Sequence, residues 1–215
     1  MEISEIGFYI GIGGTIAFAS SAVLSVAEQK VDIFAAVVLG LITAVGGGTL
    51  RDVILDVPVF WAAETIYLWV AIVTSVATLY ATSFVGRRKI RRLFLYVDGA
   101  AVAMFAIQAT EKVWQLDFGL PLGPIILGIV TATGGGMTRD LLSGRPTLLF
   151  SRDLYAIPIA LGCTVFTLIL HFAPEYSGHG ALACVGLIFA IRAAAIYWDI
   201  KVPNWAITGF KRGGV

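Results

Sequence analysis

Charge is scarce in this sequence. Of 215 residues only 13% are Asp, Glu, Lys or Arg, about half the share typical of a soluble domain. Fifteen basic residues against fourteen acidic ones leave a formal charge of +1, so no overall field points to nucleic acid or an acidic substrate. The longest hydrophilic run, Gly86 to Arg92, is too short to be a domain, which excludes an extramembrane catalytic unit. Cysteine is scarcer still: Cys163 and Cys184 lie in apolar runs without CxxC spacing and read as small buried hydrophobes. The two histidines, His171 and His179, have no carboxylate or cysteine at ligand spacing, so no metal site is expected beyond transient monovalent cations. Enzyme motifs are missing as well. Gly11-Ile-Gly-Gly-Thr15 does not fit G-x-G-x-x-G, the glycine triplets lack the Gly-Lys-Ser/Thr of a P-loop, and no HExxH or GxSxG occurs. Neither an enzyme nor a cofactor is expected. The N-terminus, Met-Glu-Ile-Ser-Glu, has no positive stretch of the kind that opens a cleaved signal peptide.

What fills the chain is apolar. Hydrophobic residues make up 58%, the mean hydropathy is +0.89, and a membrane protein follows. A helix needs about 20 apolar residues to cross the bilayer core. Such runs lie near 6–27, 33–56, 64–86, 93–113, 120–144, 153–174 and 179–199, predicting an all-α protein of seven transmembrane helices. Short polar or Pro/Gly connections separate them, among them Glu28-Gln29-Lys30, Asp56-Val57-Pro58, the basic block 87–92 and Gly144-Arg145-Pro146. Lys30, Arg87, Arg88, Lys89, Arg91, Arg92, Arg145, Arg152, Lys201, Lys211 and Arg212 fall on one side, and only Lys112 on the other. By the positive-inside rule the N-terminus is outside and the C-terminus cytoplasmic.

Compared with itself at an offset of 88, the chain aligns Leu39–Asp52 with Leu127–Asp140, nine of fourteen positions being identical. Pro58 and Pro146 keep the register, as do Tyr67 and Tyr155, and Phe18-Ala19 matches Phe105-Ala106 at 87. Each half is then a three-helix unit, 1–86 and 87–174, with 175–215 an appended seventh helix and cytoplasmic tail. Three is odd, so the second unit enters from the opposite side and the repeats are inverted, an arrangement that places permeation where they meet.

The triplets Gly46-Gly47-Gly48 and Gly134-Gly135-Gly136 are costly inside helices, at roughly 0.8–1 kcal/mol per glycine relative to alanine. Close packing of neighbouring helices is one reason for them. A kink in helices 2 and 5 is the sharper expectation, freeing carbonyls around Thr43 and Thr131 for a cation. Arg51-Asp52 and Arg139-Asp140 follow within apolar sequence, where charges must face a wet cavity or a partner. Pairing across the repeats is expected, Arg51 with Asp140 and Arg139 with Asp52. Asp98 and Arg192 are further intramembrane candidates or snorkel to an interface, and Glu111 and Glu64, near span ends, are expected to be solvated.

Two copies of Gly-Gly-Gly-x-x-Arg-Asp, at 46–52 and 134–140, each with a proline six residues on, resemble the prokaryotic branch of the trimeric intracellular cation channel (TRIC) family. The resemblance covers nearly the whole chain. It implies a prokaryotic inner-membrane homotrimer with one pore per protomer, lined by kinked helices 2 and 5 and passing K⁺ with some Na⁺ as a counter-ion pathway. Gly46, Gly47, Gly48, Arg51, Asp52, Gly134, Gly135, Gly136, Arg139 and Asp140 are the matching positions. The lysine-glutamate motif of animal members has no counterpart, since Met137-Thr138-Arg139-Asp140 stands in that area. Membrane lipids are the other expected partner; the basic block reads as a topology determinant and also suits anionic head groups. The rival function is secondary transport of a small amino acid, because similar bacterial sequences are also labelled glycine transporters.

Overall fold

The computed structural model describes residues 3–29, 31–82, 84 and 87–202. Lys30, Lys211, Arg212 and the expected cytoplasmic tail from 203 onward lie outside the described residues, as do the side chains of Arg87 and Arg88. Within them the fold is entirely helical: α1 (Ile3–Val26), α2 (Ile33–Ile54), α3 (Phe60–Ala63), α4 (Ile66–Thr82), α5 (Arg87–Gln115), α6 (Leu122–Leu142), α7 (Ala156–Phe172) and α8 (Ser177–Tyr197). Four segments, 5–26, 33–54, 89–115 and 174–197, are each long and apolar enough to cross a membrane. The helices α4 and α7 are apolar but have 17 residues each, a length of about 26 Å at 1.5 Å per residue.

Two features depart from the sequence expectation. An eighth, four-residue helix, α3, sits between the second and third long helices. The basic block is not a loop, since α5 begins at Arg87 and carries the block as its first turns. Arginine and lysine are good helix formers, so a run that ends an apolar span need not end a helix.

The long helices end by local rules that recur at the 88-residue offset. At the end of α2 the Val57 amide donates to Asp52 O (3.1 Å) and the Asp56 amide to Val53 O (3.3 Å). At the end of α6 the Arg145 amide donates to Asp140 O (2.8 Å) and the Gly144 amide to Leu141 O (3.2 Å). Both are Schellman closures, which need a left-handed residue; Asp56 (φ 53°) and Gly144 (φ 66°) supply it. Pro58 and Pro146 follow at once and prevent further helix. The start of α2 is capped by Asp32, whose Oδ1 accepts from the Ala35 amide at 2.8 Å.

The core lies where α1 packs on α5 and is built of small and aromatic side chains. Phe18 and Phe105, equivalent at offset 87, stack with ring centroids 5.2 Å apart. Ala19, Ala101, Ala106, Ile107, Ile159 and Phe166 are fully buried around them. Cys163 and Cys184 are free thiols in this core.

Candidate permeation site

Both glycine triplets lie in continuous helix. Neither α2 nor α6 is interrupted at its triplet. The glycines instead allow contact between the two helices. A Cβ on Gly47 would collide with the Thr131 carbonyl, and one on Gly135 with the Thr43 carbonyl. Thr43 lies against Gly135 and Gly47 against Thr131, so the two chains run antiparallel through the crossing. Gly48 and Gly136 face Phe60 and the Tyr155 hydroxyl, whereas a Cβ on Gly46 meets nothing within 4 Å. The buried hydroxyls of Thr43 and Thr131 donate within their own helices, to Leu39 O (2.7 Å) and Leu127 O (2.6 Å).

Because the helices are antiparallel, their C-terminal Arg-Asp pairs lie at opposite ends of the crossing. The expected exchange of partners between repeats does not occur; each arginine pairs with the aspartate that follows it. Arg51 Nε and Nη2 both reach Asp52 Oδ1 at 2.8 Å, and Arg139 Nε and Nη2 reach Asp140 Oδ1 at 2.8 Å. Neighbouring Cβ atoms on a helix diverge by about 100°, but the long arginine side chain curls back across that angle. The second carboxylate oxygen closes the following loop: Asp52 Oδ2 accepts from the Phe60 amide (2.8 Å) and Asp140 Oδ2 from the Leu148 amide (3.0 Å). These aspartates tie a helix end, a buried arginine and a proline loop together.

Asp140→Ala is expected to lower stability by about 1.5–3 kcal/mol, the range for a lost hydrogen bond to a charged group. Amide exchange at Leu148 should accelerate with it. Unchanged exchange there would show that the carboxylate does not hold the loop.

The two ends are furnished differently. At the α6 end Arg139 Nη1 also donates to Asp98 Oδ1 (2.5 Å) and Ser21 Oγ (2.9 Å). Asp98 Oδ2 lies 3.9 Å from Arg192 Nη2, and Arg192 Nη1 donates to Leu154 O at 3.1 Å. Arg192 sits over the Tyr155 ring, 4.5 Å from its centroid, and Arg139 over Phe94 at 4.6 Å. All four charges are sealed: Asp98 and Arg139 are 0% exposed, Arg192 1% and Asp140 2%. Asp98 and Arg192 therefore do not snorkel. Beyond the seal lies a cavity of about 540 Å³ lined by Arg91, Arg92, Arg145 and Glu28.

At the α2 end Lys112 Nζ joins Arg51 on Asp52 Oδ1, at 2.8 Å. This end is open to a cavity of about 380 Å³ walled by Arg51, Tyr67, Gln108, Glu111 and Lys112, with the exposed Glu64 among its lining residues. Glu111 is buried, not solvated as its place near a span end suggested. Sequence reasoning passed over Gln108, Glu111 and Lys112 as site residues. Their signal was the i, i+3, i+4 spacing, which puts them on one face of α5. Among the described residues no group of three His, Cys, Asp or Glu side chains is placed to hold a metal.

Against known proteins, the family model described as "Glycine transporter" matches residues 8–83 and 95–171. The chain belongs to this family. A relative, the UPF0126 inner membrane protein YadS of Escherichia coli K12, is 34% identical over 206 residues, 93% of this chain and 96% of its own length. A UPF0126 membrane protein of Vibrio cholerae is 34% identical over 94% of this chain and 83% of its own length. Among solved structures, the TRIC trimeric intracellular cation channel orthologue from Rhodobacter sphaeroides superposes with a TM-score of 0.84 at 30% identity, over 91% of this chain and 99% of that one. A prokaryotic TRIC channel in 0.5 M KCl has the same fold, with a TM-score of 0.85 at 22% identity. The family thus has the TRIC fold, and this member is a multi-pass membrane protein.

Proposed function

We propose that the chain is a monovalent cation channel, passing K⁺ in preference to Na⁺ as a counter-ion pathway, in a homotrimer with one pore per protomer. The observation that carries this reading is the antiparallel α2–α6 crossing with a charge cluster at each end, in a fold similar to a cation channel at 30% identity. In this reading the chain spans the membrane seven times as two inverted three-helix units, 1–86 and 87–174, followed by the α8 segment. The N-terminus is outside, so the cavity at Glu111 opens outward and the basic cavity at Arg91 and Arg145 faces the cytoplasm. Anionic lipid head groups suit that basic rim.

The path between the two cavities runs beside the Gly47–Gly135 contact and is closed at the α6 end by the Arg139–Asp98 pair. Both oxygens of Asp52 and of Asp140 accept donors of the protein, so these aspartates position the arginines rather than bind ions themselves. Opening requires Arg139 to leave Asp98. Moving one charge across the field is worth about 2.3 kcal/mol per 100 mV, which makes this step voltage-sensitive.

Secondary transport of glycine is the second reading. It is favoured by Arg51 Nη1, a buried donor with no acceptor among the described residues, in the cavity wall that also holds Glu111. Proteoliposomes separate the two. A channel admits Tl⁺ at a rate that rises with its concentration and ignores glycine; saturable counterflow of labelled glycine without Tl⁺ entry would overturn the proposal.

A further inference from the structure

The two ends of the crossing hold the same formal charges. The α6 end has Arg139 and Arg192 against Asp98 and Asp140; the α2 end has Arg51 and Lys112 against Asp52 and Glu111. At the α6 end each carboxylate has a cation within 4 Å. At the α2 end both cations converge on Asp52 Oδ1. Glu111 is left with neither hydrogen bond nor ion pair from any described residue, although it is only 7% exposed and lines the 380 Å³ cavity. A buried carboxylate without a counter-charge is strongly unfavourable unless something positive comes to it.

We propose that the Glu111 carboxylate holds a monovalent metal cation in this cavity, making it the first binding station on the path. The inference rests on the channel reading. The lining suits such an ion, because Gln108, one turn back on α5, and Tyr67 add neutral oxygens to the carboxylate, and hard oxygen donors are what alkali cations take. Space is left by the glycines of α1. A Cβ on Gly7 would sit 3.2 Å from Glu111 Oε2, and one on Gly11 would be 2.9 Å from the Tyr67 hydroxyl and overlap the Gln108 amide. The charge balance selects a monovalent ion. The formal charges at this end sum to zero, but Arg51 and Lys112 are both held on Asp52, so Glu111 has no cation of its own, and those two cations oppose more than a single added positive charge. A zwitterion would use Arg51 Nη1 as well, which the experiment separates.

The full-length protein in detergent is melted in KCl, in N-methylglucamine chloride of equal ionic strength, and in the latter with glycine. Wild type, Glu111→Gln, Glu111→Asp and the remote Glu175→Gln are compared. The proposal expects saturable stabilisation by K⁺ in wild type and Glu175→Gln, a weaker response in Glu111→Asp, and none in Glu111→Gln. The last variant should melt no lower than wild type in N-methylglucamine, since it loses an unpaired charge. An equal K⁺ response in Glu111→Gln, no K⁺ response in wild type, or stabilisation by glycine in place of K⁺ would overturn it. Bilayer recording keeps the two proposals apart. If wild type does not conduct, the channel reading fails; if wild type conducts and Glu111→Gln shows the same conductance at low KCl, the site fails alone. The expected result is a several-fold loss at low KCl that vanishes at high KCl.

Discussion

Asp98→Asn is expected to destabilise the protein by about 3–5 kcal/mol, the range for breaking a buried ion pair by removing one partner. Asp98 is fully buried and serves two arginines, Arg139 through Oδ1 and Arg192 through Oδ2. Its loss leaves Arg192 with no acid within 4 Å among the described residues, while Arg139 keeps Asp140 at 2.8 Å. The second replacement therefore follows from the geometry. Adding Arg192→Met to Asp98→Asn removes the stranded charge and should recover most of the loss, because a balanced Arg139–Asp140 pair remains. Thermal unfolding in detergent of the two single variants and the double variant measures the coupling. Additive losses would show that Asp98 and Arg192 do not act on one another. If opening requires Arg139 to leave Asp98, the double variant should also open more readily than wild type.

Gly47→Leu is expected to yield no folded protein, and Gly135→Leu the same. At each position a side chain would run into a backbone carbonyl of the facing helix, and backbone cannot rotate aside as a side chain can. Overpacking in a well-packed core costs about 1–3 kcal/mol where side chains can give way, and more where they cannot. Gly46→Ala is the matched control. A Cβ there meets nothing within 4 Å, and alanine is favoured over glycine in a helix by about 0.8–1 kcal/mol. That variant should melt at or above wild type. Size-exclusion profiles and melting curves of the three variants distinguish close packing, which depends on which glycine is changed, from a hinge requirement, in which all three would be damaging.

Much of this was legible in advance, and the failures share a cause. The doubled motif and its prolines marked a repeat, and the geometry repeats with it: Asp52 to Phe60 and Asp140 to Leu148, Asp56 and Gly144 at positive φ. Identical short-range residues impose identical caps, so local sequence carries local structure. Apolar runs placed the long helices to within a few residues, because burial in lipid and burial in protein select the same side chains. Hydropathy could not show that the charged run at Arg87 continues as helix, since helix propensity and hydropathy diverge for arginine and lysine.

The triplets read as breaks because glycine's helical penalty is intrinsic to the residue. Its compensation, a carbonyl of another helix at van der Waals range, is tertiary and invisible in the sequence. Pairing across the repeats is the expectation that follows from Cβ directions alone, which neglect the reach of arginine's long side chain. Glu111 reads as solvated because span ends are usually wet, and Lys112 reads only as the single outer-side charge of the topology count. Here the glycines of α1 bring that helix close enough to bury the glutamate.

The most direct test of cation conduction is planar-bilayer recording of the purified wild-type protein under a KCl gradient. A cation channel gives discrete unitary currents that reverse near the K⁺ equilibrium potential and shift little when Cl⁻ is replaced by a larger anion. Currents reversing near the Cl⁻ potential, or a silent bilayer from protein that drives saturable glycine counterflow in liposomes, would contradict it.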